Sequence, residues 1–252
     1  MRSCKFWSAF SSILLGCLLA LPSPHALAVV NIDRTRVVIP NASNVVTFNL
    51  VNNSATQPAL VQLWIDKGDP TVPPDKIISP LVLLPPMFRL EANEQRNVRL
   101  LIADPKQLPT DRESIFWLNV YQMPPITQQQ DKQRLILPIR IRLKVFIRRG
   151  TLDAPQEEDL SKLTFTRTGD SLCIHNPTPW NLTISGMEIG GQKVDGDMVA
   201  PFGNLALPLT TRLPNTNALT YTLINDAGNP WSLQAALRSS LTGDAGNGPE
   251  CK

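Results

Sequence analysis

Few residues in this chain have side chains suited to making and breaking bonds. Of its two histidines, His25 falls in an apolar leader, which leaves His175 in "IHNPTPW", at a strand end just before a proline turn. A Ser/His/Asp triad holds its histidine between a nucleophile and an acid; His175 reads instead as a solvated or hydrogen-bonded structural residue. Glu157, Glu158 and Asp159 are neighbours in sequence, a solvated run rather than two carboxylates facing each other across a cleft. Gly190 and Gly191 are too few to cradle a phosphate and suit a hairpin. Cys and His never cluster at metal-ligand spacing. These residues predict no enzyme, no cofactor and no metal.

The more informative stretch is "LILPIRIRLKVFIRRG", residues 135–150. Leu135, Leu137, Ile139, Ile141 and Leu143 share one face at the two-residue period of a strand, and Arg140, Arg142 and Lys144 share the other. Pro138 has no N–H to give to a ladder, so the strand belongs at a sheet edge or beside a bulge. That makes residues 135–144 an edge strand. An open edge with a row of large aliphatics recruits other chains, self-association of the free edge strand included. Either recruitment is its task, or Leu135, Leu137 and Ile139 face the domain's own core while the cations face water.

The elements that must carry these residues follow from the rest of the chain. Arg2 and Lys5 precede an apolar run from Ile13 to Leu21, and "HALAVV" offers a small-residue cleavage point, so residues 1–28 read as a signal peptide. A lipoprotein signal around Cys17 fits less well, because leucines continue after it. Removing the leader takes two of the 24 basic residues and none of the 21 acidic ones, a balance of +1 that gives no support for a nucleic-acid partner. No later segment approaches the roughly 20 apolar residues a spanning helix needs, so no membrane insertion is expected. Cys173 and Cys251 remain of four cysteines; an oxidising compartment allows a disulfide between them, and the sequence equally allows two unpaired thiols.

Period-two segments start at Val45, Ala59, Asn97, Ile115, Leu163, Ser171, Trp180, Leu219 and Trp231, with Pro, Gly, Asn and Asp between them. Short strands so divided predict antiparallel sandwiches, and 23 prolines argue against long helices. Only "PQEEDLSKL", from Pro155, looks helical. The composition shift near residues 148–155 predicts two domains, 29–147 and 148–252, each the size of an immunoglobulin-like sandwich.

Five segments carry a resemblance. "VNIDRTRVVIP" near the start of the mature chain, "LLPPMFRLEANEQRNVRL" from Leu83, "LPTDRESIFWLNVYQMPP" from Leu108, the strand above and "HNPTPW" from His175 together resemble the periplasmic pilus chaperones of the PapD/FimC family. The resemblance runs from Val29 to about Phe146 with few gaps and more thinly through residues 150–230. It implies an all-β fold of two immunoglobulin-like domains at an angle, with a cleft between them. It also implies a function: binding pilin subunits that lack a strand, lending them the edge strand of Leu135, Leu137 and Ile139, and delivering them to an outer-membrane usher.

Carried over by motif, Arg36 of "DRTR" and Lys144 of "RLKVF" grip the subunit's C-terminal carboxylate, a task suited to two converging cations. Glu113 of "DRES", Arg148 of "FIRR" and Asp226 of "LIND" match positions of charged interdomain contacts, expected to act as individually weak surface pairs that set the interdomain angle. Three features depart from the family pattern: "FIRRG" lacks the usual linker proline, Ala92 replaces another proline, and the loop from Pro125 to Leu135 is short. The alternative is a secreted two-domain carbohydrate or surface-binding module. Such a module favours exposed aromatics in loops, whereas Trp64, Trp117, Trp180 and Trp231 fall in strand patterns.

Overall fold

The computed structural model describes residues 30–123, 137–209, 211–239 and 251. Nine strands precede residue 148: β1 (Val30–Ile32), β2 (Arg36–Ile39), β3 (Val45–Asn52), β4 (Ala59–Asp66), β5 (Leu81–Leu84), β6 (Met87–Leu90), β7 (Gln95–Ile102), β8 (Ser114–Met123) and β9 (Ile139–Ile147). They form two sheets, β1-β3-β7-β5 and β2-β9-β8-β4-β6. Alternation explains the layering: Phe48, Leu50, Val98 and Leu100 from one sheet meet Val61, Leu63, Leu118, Val120 and Val145 from the other in one buried cluster. These segments bury every second residue, as a half-solvated antiparallel sheet requires.

The first strand changes sheets. β1 pairs with β3, and three residues later β2 pairs with β9. The "IDRTR" turn between them is fixed by Asp33, whose carboxylate accepts from Asn49 N at 3.2 Å, Asn49 Nδ2 at 3.1 Å and Arg34 Nε at 2.7 Å. The Arg34 bond leads in holding the Asp33 carboxyl below its ordinary value. The crossover thus delivers Arg36 to the start of β2.

Among the described residues the second half holds one short α-helix, α1 (Glu157–Leu160), then β10 (Thr164–Thr168), β11 (Ser171–His175), β12 (Leu182–Ile189), β13 (Gln192–Asp195), β14 (Met198–Val199), β15 (Asn204–Pro208), β16 (Ala218–Ile224) and β17 (Pro230–Ser239). These strands hydrogen-bond in the order β13-β12-β16-β17-β10-β11-β15, with β14 on β12, and wrap a second core around Phe165, Ile174, Ile184 and Tyr221. The Tyr221 hydroxyl donates to Leu160 O at 3.0 Å, docking α1 onto that core. Burial pushes its phenol up to about 12. The predicted hairpin at Gly190–Gly191 joins β12 to β13, with φ of 56° and 83° and Ile189 opposite Gln192. Two domains, each a β-sandwich around its own core, agree with the expected class.

One expectation needs correction. Trp180 lies in the loop before β12 rather than in a strand, where its indole donates to Asp153 O at 2.9 Å. The strands β1, β2, β5, β6, β13 and β14, of two to four residues, are too short to have produced their own periodic segments, and β15 was missed as well. The signal-peptide expectation and the loop before Leu135 lie outside the described residues.

Cys173 on β11 and Cys251 form a disulfide with Cα atoms 5.8 Å apart, closing a separation of 78 residues. Closing a loop that long restricts the unfolded chain by roughly 4 kcal/mol. The double change Cys173→Ser, Cys251→Ser is expected to lower the second domain's unfolding free energy by about that amount in a denaturant titration; an unmoved midpoint would show that the bridge contributes nothing.

Candidate functional site

β9 is flanked unequally. β8 pairs with it along its whole length, Gln122 opposite Ile139 through Ser114 opposite Ile147. β2 joins on the other side only from Lys144, which stands beside Arg36, to Ile147. Among the described residues the open edge is therefore Ile139 to Leu143 rather than the whole of residues 135–144, because β2 covers Lys144. Leu135 lies outside the described residues.

The apolar face of β9 grades from core to solvent. Leu143, Val145 and Ile147 are buried in the first core and Ile141 packs against it, while Ile139 is 39% and Leu137 64% exposed. One stripe of side chains thus begins inside the domain and ends outside it.

The opposite face explains how an unflanked strand stays extended. Arg140 stacks over Trp64 at 4.9 Å and Arg142 over Trp117 at 4.6 Å. Beneath them sits Asp66, whose carboxylate side chain is only 2% exposed. It accepts from Arg142 Nη2, Asn119 Nδ2 and Gly68 N, each at 2.7 Å. Arg140 Nε donates to Asn119 Oδ1 at 2.8 Å. The alternating cations are a ladder that ties β9 across β8 to β4, with charge-assisted bonds and cation–π contacts in one network.

Lys144 continues the same row, 5.8 Å from the Trp117 ring, and its Nζ donates to Thr183 Oγ1 in the second domain at 3.2 Å. Arg36 points the same way: its Nη1 donates to Ile224 O at 3.0 Å, and its guanidinium lies 5.8 Å from the Phe146 ring. The Arg36 Nε has no acceptor among the described residues. A cavity of about 320 Å³ opens between the domains here, lined by Arg36, Phe146, Thr183, Ile224 and Trp231.

Burial holds the Arg36 guanidinium below its ordinary value against the pull of Asp226 and Glu113. Burial, and then the charge of Arg36, holds the Lys144 ammonium below its own. Two desolvated, mutually repelling cations with unused donors form a site that an anion, above all a carboxylate, would relieve on every count.

Glu113, Arg148 and Asp226 meet. Arg148 Nε donates to Glu113 Oε1 at 2.9 Å, and its two terminal nitrogens grip Asp226 at 2.6 and 2.8 Å. The expectation of surface ion pairs is corrected for Arg148 and Glu113, whose side chains are 4% and 1% exposed, so loss of either strands the other's charge; the Asp226 side chain at the rim stays 40% exposed. Burial pushes the Glu113 carboxyl up, opposed first by Arg148. Burial also works against the Arg148 charge, but Asp226 and Glu113 more than offset it and raise its value.

The "NPTPW" motif builds the other wall of this contact. Asn176 accepts from Thr178 N and Oγ1 at 3.0 and 2.6 Å and donates to Trp180 O at 2.7 Å. The loop so shaped presents Pro179 O to Glu113 N at 2.8 Å and Asn181 N to Glu113 Oε2 at 2.9 Å. From the other side, Gly228 at φ 85° approaches Thr35 so closely that any Cβ would collide with its hydroxyl.

His175 stands apart from this site, on β11 with Nδ1 2.7 Å from Asn204 Oδ1. Among the described residues no group of three or more His, Cys, Asp or Glu could hold a metal ion. No helix there is long and apolar enough to cross a membrane. Sequence reasoning missed Asp66, Phe146 and Thr183. Asp66 falls with Gln62 and Trp64 on the face opposite the core, where alternation gives no warning that an acid will be buried, and Thr183 carried no signal either.

Comparison with known proteins adds context. The model of the pili and flagellar-assembly chaperone PapD N-terminal domain matches residues 29–152, and that of the pili assembly chaperone PapD C-terminal domain matches residues 158–235. The chain is 36% identical over 233 residues to the chaperone protein FimB/FhaD of Bordetella pertussis, covering 88% of this chain and 93% of the relative. It is 32% identical over 220 residues to the chaperone FimC of Escherichia coli, covering 87% and 86%. Among solved structures, the SafB chaperone of Salmonella enterica in complex with the SafA pilin superposes with a TM-score of 0.73 at 28% identity, covering 86% of this chain and all of that one. The CupB2 chaperone of Pseudomonas aeruginosa gives 0.69 at 31%, covering 82% and 100%.

Arg148→Ala leaves Glu113 buried without its cation and is expected to cost about 3 to 5 kcal/mol. It should also widen the spread of interdomain angles in solution scattering. Unchanged unfolding and scattering would show that the network does not set the interface.

Proposed function

The chain belongs to the PapD family of pili-assembly chaperones, and from that premise we propose that it completes pilin subunits in the periplasm by lending them the open edge of β9, then passes them to an outer-membrane usher. The observation that carries this reading is the rim from Ile139 to Leu143, unflanked among the described residues, which ends beside the paired cations Arg36 and Lys144.

Recognition by strand addition divides the work: backbone bonds supply affinity and alternate side chains supply specificity. Leu137 and Ile139, with Leu135 before them in sequence, enter the subunit's groove, each worth roughly 1.5 to 3 kcal/mol before ordering costs. Arg36 and Lys144 hold the subunit's terminal carboxylate. A one-residue slip would turn every aliphatic away from the groove, so this anchor selects the register.

The anchor also fixes direction. A chain whose carboxyl end sits where β2 begins must have its preceding residues along Leu143 back to Ile139, and it therefore runs parallel to β9. It meets the rim as a continuation of β2, which already pairs in that sense. The subunit thus extends an existing sheet rather than opening one.

Arg36→Ala and Lys144→Ala are expected to give folded proteins that lose subunit binding by tenfold or more, measured by co-purification with a pilin and by its protection from proteolysis. Full protection in both variants would rule out the anchor.

Carboxylate binding requires the Lys144 ammonium, whose pKa lies below the ordinary lysine value of 10.5. Subunit affinity should therefore fall as pH rises toward 10.5, sooner than for a solvated lysine. Stability of the free protein moves the other way: between the lowered and ordinary values the unfolded chain binds more protons at this group, so its contribution favours folding as pH rises. Calorimetric titration with a carboxyl-ended pilin peptide checks this; an affinity flat across the window would exclude Lys144 as the ligand.

A further inference from the structure

The amide of Arg148 donates to the carbonyl of Ile39 at 3.0 Å. Backbone groups alternate sides along a strand, and β9 keeps a single register against β8 from Ile139 to Ile147. Even-numbered residues of β9 therefore turn their N–H and C=O toward β2, and odd-numbered ones toward β8. Past the end of β2, the outward groups belong to Arg142, then Arg140, then Pro138. The first two offer a donor and an acceptor each. Pro138 is exposed and offers a carbonyl but no N–H.

The same proline one residue earlier or later would face away from the open rim. At position 138 it removes a donor from the very edge that a guest strand must read, at the end farthest from Arg36 and Lys144. Side-chain contact is not truncated with it, since Leu137 stands 64% exposed on the apolar face. At position 138 the backbone loses a donor while the neighbouring Leu137 still offers its side chain.

We propose that Pro138 is a specificity-determining residue that ends the guest's backbone ladder, leaving a frayed end at which a replacing strand can begin. This inference rests on the strand-lending reading above. Displacement of one strand by another starts where pairing is weakest, and among the described residues the rim gives the guest only the two donors of Arg140 and Arg142. A third donor would lengthen the ladder by one backbone hydrogen bond, whose net worth of about 1 kcal/mol corresponds to roughly fivefold in a dissociation rate. The lent strand is held firmly at the cationic end and loosely at the other.

The test uses the full mature chain bound to a pilin subunit, challenged with a peptide bearing the strand that replaces the chaperone's in the assembled fibre. Pro138→Ala is expected to slow release about three- to tenfold, and hydrogen exchange should find the new amide at position 138 protected in the complex. Pro138→Val, better suited to a strand, supplies a second variant, and melting of each free variant verifies its fold. Release at the wild-type rate with position 138 unprotected overturns the inference, as does a variant that merely self-associates through its rim while releasing subunits normally. If the wild type fails to hold the pilin, the strand-lending reading falls and this inference with it. Intact binding and Lys144 dependence with unchanged release sink the proline's role alone.

Discussion

Half of β9 is locked and half is open, and the remainder of the structure serves to keep it so. An unpaired strand in water has no reason to remain extended, because its backbone groups are satisfied equally well by solvent. Here the strand is gripped from three directions other than the open one. β8 pairs with it throughout, its lower face is anchored in the first core, and its upper face is pinned by Arg140 and Arg142 to Trp64, Trp117 and Asp66. The rim is therefore preformed, which spares any guest the cost of ordering it.

The cleft has a similar logic in electrostatic terms. Arg36 and Lys144 are partly withdrawn from water and stand side by side on adjacent parallel strands, an arrangement that costs free energy while no anion is present. Glu113 and Asp226 lie close enough to temper the charge of Arg36 but are themselves committed to Arg148. Splitting the acids and bases in this way leaves the domain contact with its acids in excess and the neighbouring site cationic.

Much of this was legible in the sequence because it depends on period and residue type. Val45–Asn52, Ala59–Asp66 and the β9 stretch announce themselves by alternation, and the proline within "LILPIR" marks an edge. The strands β5, β6, β13 and β14 were not legible, since two to four residues are too few for a period to emerge. The grouping of Glu113, Arg148 and Asp226 came from resemblance, but their burial did not, because nothing in "DRES" or "FIRR" reveals that "NPTPW" will fold over them. Asp66 escaped notice for a related reason: its partners Arg140 and Arg142 are more than seventy residues away, and only the sheet order β9-β8-β4 brings them together.

Arg36 and Lys144 both belong to the first domain, yet each is bonded to the second, through Ile224 O and Thr183 Oγ1 respectively. Any ligand held by the two side chains is consequently a non-covalent cross-link across the hinge. Linkage then works in both directions: occupancy stiffens the elbow, and whatever bends the elbow loosens the ligand by the same free energy.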